Sequence, residues 1–90
     1  MTESVKTAAH EVHELLLEAR PERKSENLAK ASDLAETAST PRDHFQLETF
    51  VAIRNLRTGL EGGASTAEAE ALLLHAIETA NRWVRHARRT

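Results

Sequence analysis

Apolar residues recur along most of this chain at intervals of three and four, the spacing that lines one face of an α-helix. The last third shows the pattern most clearly. Ala69, Leu72, Leu73, Ala76, Ile77, Ala80, Trp83, Val84 and Ala87 form one broad stripe, and no Pro or Gly interrupts the run from Ser65 to Arg89. His75, Glu78, Arg82, Arg85 and Arg89 collect on the opposite side, with Leu74 between the two. The ends are marked as well. Ser65 can cap the start, and Glu68 stands three residues on, the capping-box spacing. Glu70 adds negative charge to the first turns, while Arg82, Arg85, Arg88 and Arg89 suit the negative end of the helix dipole. This is the longest predicted helix, about 35 Å at 1.5 Å per residue.

Three more helices are predicted before it. The first begins near Thr2 and Glu3, with Val5, Ala8, Val12, Leu15, Leu16 and Ala19 as its core stripe and Ala9, His10, His13 and Leu17 to one side. It should end near Arg20, because Pro21 disfavours helical geometry in the residue before it. Pro21 can open the second helix, which carries Leu28, Ala31, Leu34, Ala35 and Ala38 and should stop before Pro41. Its first turns, Glu22 to Asn27, are highly polar and are expected to fray. Thr40-Pro41-Arg42-Asp43 is a strong helix start, and the third helix is expected to run to about Thr58, with Gly59 as its C-terminal stop. Glu61-Gly62-Gly63-Ala64 then permits a tight reversal.

The third helix is apolar on more than one side. Phe45, Ala52, Ile53, Leu56 and Leu60 share a face, Leu47 and Val51 point away from it, and Phe50 lies between, flanked by Gln46, Arg54 and Arg57. Such a helix is either central in its own bundle or shared with a second subunit. The expected fold is therefore all-α: four helices in two helical hairpins (1–40 and 41–90), a small single-domain bundle with the third and fourth helices at its centre.

Composition favours self-association. Ninety residues with three aromatic side chains, many alanines and no disulfide bury a modest share of their surface, and oligomerisation is a common remedy. The absence of Cys excludes disulfides, thiol chemistry and Cys-based zinc sites. No apolar run approaches membrane-spanning length, and no basic-then-apolar export segment opens the chain, so a cytoplasmic protein without membrane contact is expected. The net charge of −2 is unevenly spread. Residues 1–45 hold six Lys/Arg against nine Asp/Glu, and residues 46–90 hold six against five. Residues 82–90 hold four Arg and no acid, a patch fit for phosphate or an acidic partner, or simply for the helix dipole.

Catalytic and metal signatures are missing. His10, His13 and Glu14 share a helix face, but no His stands three residues after a Glu as di-metal bundles require, so neither metal nor cofactor is expected. No nucleophile elbow or phosphate-binding Gly-rich loop is present, and no carboxylate pair stands out, so no enzyme is expected. Specific DNA recognition is not expected either, since no Tyr is available for stacking and the basic residues are few. Two kinds of site remain. Arg54, Arg57, Arg82 and Arg85 are candidates for clamping a small anionic ligand. Leu47, Phe50, Val51 and Leu74 are candidates for an apolar contact with a protein partner or a second copy.

Residues 51–88 resemble the helical-hairpin domain of phage anti-CBASS proteins that sequester cyclic nucleotides. In that family a Leu-rich helix and a short turn precede a helix of the form Leu-Glu-x-Ala-x-x-Trp-Ala. Here Leu56 and Leu60 precede the turn, Leu72 and Leu74 follow it, and Ile77-Glu78-Thr79-Ala80 leads to Trp83-Val84 and Ala87. The family's polar turn is replaced by Ser65-Thr66-Ala67-Glu68, and its ligand-side Tyr has no counterpart. The resemblance implies a compact helical oligomer, phage-derived, that soaks up a cyclic oligonucleotide signal and thereby blocks a host defence. It assigns no binding residue. The broader expectation is a non-catalytic interaction or regulatory protein acting as a homo-oligomer.

Overall fold

The computed structural model describes residues 2–19, 24–37 and 44–89, with side chains described for 8–19, 26–36 and 44–87. Among the described residues there are four α-helices and no strands: α1 (Thr2–Leu17), α2 (Lys24–Thr37), α3 (His44–Glu61) and α4 (Thr66–Arg89). Each packs on its neighbour in chain order, and α4 closes the ring on α1. The connections are short, which makes successive helices antiparallel. The bundle measures 39 × 20 × 18 Å. No single helix is central; α3 and α4 form one side of the ring and α1 and α2 the other.

The start of α4 carries the Ser65 half of the expected capping box. The Glu68 amide donates to Ser65 Oγ at 3.2 Å, and the Ala69 amide donates to the Ser65 carbonyl at 2.9 Å, the first bond of the helix. The end of α3 corrects the expected boundary. The helix runs through Gly59, and the reversal comes at Gly63, whose φ of 80° places it in the left-handed region. The Gly63 amide donates to the Leu60 carbonyl at 3.2 Å and the Ala64 amide to the Gly59 carbonyl at 2.9 Å, the paired bonds of a Schellman cap. Gly59 serves a different purpose. A Cβ placed on it would stand 2.9 Å from Leu72 Cδ1, so α4 packs a side chain into the space that the missing one leaves on α3. At the same pole of the bundle α1 stops at Leu17, short of Arg20, and tightens its last turn with an Ala19 amide to Leu16 carbonyl bond of 3.2 Å. The expected starts at Pro21 and Thr40–Asp43, and the side chains of Val5, Ala38, Arg88 and Arg89, lie outside the described residues.

The core follows the stripes. Ala9, Val12 and Leu16 of α1, Leu28, Ala31 and Ala35 of α2, Ala52, Ile53 and Leu56 of α3, and Ala76, Ala80, Trp83, Val84 and Ala87 of α4 form one buried cluster. Ala9, expected to one side of α1, is fully buried. Trp83, the only Trp, is also fully buried and is the largest side chain in the core. Among the described residues, the polar Ser32, Gln46, Thr49 and Thr79 join the core. Two of them satisfy themselves locally. Thr49 Oγ1 donates to the Phe45 carbonyl and Thr79 Oγ1 to the Ala76 carbonyl, both at 2.8 Å. Gln46 reaches across to another helix. Its Nε2 donates to the carbonyls of Ala35 at 2.6 Å and Glu36 at 3.2 Å, two of the last-turn acceptors that α2 cannot pair within itself.

Candidate functional site

Between the outer faces of α3 and α4 runs a groove of about 320 Å³ lined by His44, Leu47, Glu48, Val51, Ala52 and Asn55 from α3 and by His75, Thr79 and Arg82 from α4. Its apolar wall is the ridge of Leu47 and Val51, one turn apart and 49% and 51% exposed. These are large side chains left half in water on a molecule that has few to spare for its core. Charge gathers at one end of the groove. Arg82 Nη1 stands 4.0 Å from Glu48 Oε2, joining α4 to α3, and His44 Nε2 stands 3.4 Å from Glu48 Oε1. The far end carries Asn55 and His75, both exposed. Thr79 closes the floor with its hydroxyl already turned to its own helix.

The four residues expected to form an apolar contact do not share one surface. Leu47 and Val51 line the groove. Phe50 is half-buried and packs against the core instead. Leu74 is 57% exposed but sits about 100° round α4 from His75. The four arginines also fall into two pairs. Arg82 and Arg85 line a recess with Phe45 and His86, whose rings lie 4.8 Å apart at 40°. Arg54 is six residues beyond Glu48, the ion-pair partner of Arg82, and therefore about 9 Å further along α3. Arg57 lies a further turn away and is half-buried. Within one chain the pairs do not converge.

A second groove, on the opposite side of the ring, has no counterpart in the sequence expectations. It holds about 560 Å³ between α1 and α2 and is lined by His10, Glu11, Glu14, Leu15 and Glu18 from α1 and Lys30, Asp33 and Leu34 from α2. Its floor is apolar and its rims carry four carboxylates. His10 Nε2 stands 3.7 Å from Glu14 Oε1, one turn along α1. The i, i+3, i+7 spacing of Glu11, Glu14 and Glu18 was a usable signal, since it puts three acids in one stripe. What the sequence does not show is that Asp33 stands across from them. Among the described residues no group of three or more His, Cys, Asp or Glu could hold a metal ion, and no helix is long and apolar enough to cross a membrane.

The architecture defines a small four-helix bundle with an apolar-ridged groove on one side and an acidic groove on the other. No family model, curated protein or solved structure matches the chain.

Proposed function

We propose that this protein is a non-catalytic interaction module that works as a homo-oligomer through the outer face of α3 and α4. The observation that carries this reading is the ridge of Leu47 and Val51, half-exposed beside a groove. A second copy is the occupant that fits best. Two α3 helices set antiparallel about a two-fold axis place Leu47 of each copy against Val51 of the other, so the surface is self-complementary. The short, alanine-rich core gives the domain reason to bury more apolar area by pairing.

The test is the mass of the purified chain in solution across roughly micromolar to millimolar concentration, the range in which weak and moderate association shows. The wild type is expected as a discrete oligomer, and Val51→Asp as a monomer with an unchanged helical circular dichroism spectrum. Val51 is a better probe than Phe50, whose packing against the core would confuse loss of contact with loss of fold. A monomeric wild type at every concentration would sink this reading.

A second reading is a sponge for cyclic oligonucleotides, acting as a phage inhibitor of host defence. Two observations favour it: the resemblance of the last hairpin, and the recess where Phe45 and His86 present rings beside Arg82 and Arg85. Rings to stack on a base and guanidinium groups to meet phosphate are the chemistry such a ligand needs. Native mass spectrometry with cyclic di- and trinucleotides should show ligand bound in fixed ratio to the wild type and none bound to Arg82→Ala with Arg85→Ala. Binding that survives this double change would leave the two arginines as no more than a complement to the helix dipole.

A further inference from the structure

We infer that the acidic groove between α1 and α2 docks the arginine-bearing end of α4 from a second copy of this chain. This contact is separate from the proposed α3–α4 pairing, because the two faces lie on opposite sides of the ring.

The groove has the chemistry of an arginine site. Leu15 and Leu34 form a half-buried floor, and Glu11, Glu14, Glu18 and Asp33 stand on the rims against Lys30 and His10. An arginine side chain can lay its methylene stem along such a floor and present its planar cation to the carboxylates. Within this chain the matching charge lies in the sequence at the end of α4. Residues 82–90 hold Arg82, Arg85, Arg88 and Arg89 with no acid, and Arg85 is exposed. The unequal charge of the two halves of the chain, with nine acids to six bases before residue 46 and five to six after it, has the same sense.

The α4 end cannot fill the groove of its own chain. Arg82 is held against Glu48 near the start of α3. With successive helices antiparallel, the end of α4 lies at the pole of the bundle where α1 and α3 begin. Glu14 and Glu18 belong to the last turn and end of α1, at the other pole and on the far side of the ring. A second molecule has no such restriction. The contact joins two different surfaces, so it is heterologous and extends an assembly built by α3–α4 pairing.

The test is the mass of the full-length chain at low and high ionic strength, with two charge-reversed variants. One carries Glu14→Lys and Glu18→Lys; the other carries Arg85→Glu and Arg89→Glu. At about 10 mM salt the Debye length is about 30 Å and at about 1 M it is about 3 Å, so a charge-driven contact forms in the first and fails in the second. The wild type is expected to show a larger mass at low salt. Each variant alone should keep the high-salt mass at low salt. Their equimolar mixture should regain the larger mass, because the basic groove of one meets the acidic α4 end of the other, and the unaltered groove meets the unaltered end. Adding Val51→Asp should lower the mass at both salts yet leave the salt-dependent step, which separates this contact from the α3–α4 one. A wild-type mass independent of salt, or a mixture that assembles no better than its parts, would overturn the inference.

Discussion

Among the described residues, α1 and α2 bring several small side chains to the core, with Leu15 and Leu34 half-buried against it. Ala8, Ala9, Ala31 and Ala35 are buried, with Val12, Leu16 and Leu28 as the only large side chains fully enclosed among the described residues of that pair. The α3–α4 pair brings Ile53, Leu56 and Trp83 to the same core, supported by Val84 and by the half-buried Leu60, Leu72, Leu73 and Ile77. Small side chains let helices approach closely but remove little apolar area from water, and burial scales with area at about 25 cal/mol per Å². Both sides also bury alanines, so the difference in bulk among the described residues lies in Trp83 and in the half-buried layer, Leu15 and Leu34 on one side against Phe45, Phe50, Leu60, Leu72, Leu73 and Ile77 on the other. The same division appears on the outside, where α1 and α2 carry the acidic groove and α3 and α4 the apolar ridge and the arginines. A short domain can thus hold two helices that are poor in large side chains, provided their partners reach across.

The largest effect should come from removing the side chain that reaches furthest. Trp83→Ala empties the largest fully buried position and is expected to cost about 3–5 kcal/mol. A chain of this length has a total stability of only about 5–13 kcal/mol. Urea titration followed by circular dichroism should show all four helices lost together at a much lower midpoint. A variant that lost α1 and α2 first while α3 and α4 stayed folded would mean that the two sides do not share one cooperative core.

A smaller and more local effect is expected at Gln46. Its amide supplies the described polar link between α3 and the end of α2, and both bonds go to carbonyls that α2 leaves unpaired. Gln46→Ala removes the donor from a buried setting and should cost about 1–3 kcal/mol. Hydrogen exchange would show where the loss falls. Amides of α2 are expected to exchange faster than those of α4, which keeps its own packing on α1 and α3. Equal acceleration in every helix would assign Gln46 a general packing role instead.

Gln46 also shows what was and was not legible in the sequence. The α4 stripe and the exposure of Leu47, Val51 and Leu74 follow from apolar spacing, the Ser65 cap follows from the Ser-x-x-Glu pattern, and the structure has them. Apolar spacing is blind to Thr49 and Thr79, which bury themselves by bonding back to their own helix, and to Ala9, which is small enough for either side. In the sequence Gln46 is only a polar neighbour of Phe50, because its acceptors lie 10 and 11 residues away on another helix. The sites were legible in proportion to how local they are. The ridge of Leu47 and Val51 belongs to one helix, whereas the acidic groove depends on the register between α1 and α2, and the separation of the arginine pairs depends on that between α3 and α4.

The smallest effects distinguish the two glycines at the end of α3, and they test how closely α3 and α4 must approach. Gly63 adopts a φ of 80° with nothing within 4 Å of an added Cβ, so Gly63→Ala should cost about 1 kcal/mol through backbone strain alone. Gly59 is helical, and there alanine should gain about 1 kcal/mol of helix propensity. Against that gain stands the Leu72 Cδ1 contact at 2.9 Å, which must open for the new methyl group to fit. Leu72 is half-buried and the clashing atom is the tip of its side chain, so a rotation can relieve it. Gly59→Ala is therefore expected to change stability by no more than about 0.5 kcal/mol, the two terms nearly cancelling. In a Leu72→Ala background the opposing term is gone, and the same change should stabilise by about 0.5–1 kcal/mol. Urea midpoints for the four chains of this cycle, read from the fluorescence of the single Trp, give the coupling directly. If alanine at position 59 remains destabilising without Leu72, the constraint is the backbone spacing of α3 and α4 rather than one side chain. The close approach would then be fixed by the Schellman turn that joins the two helices.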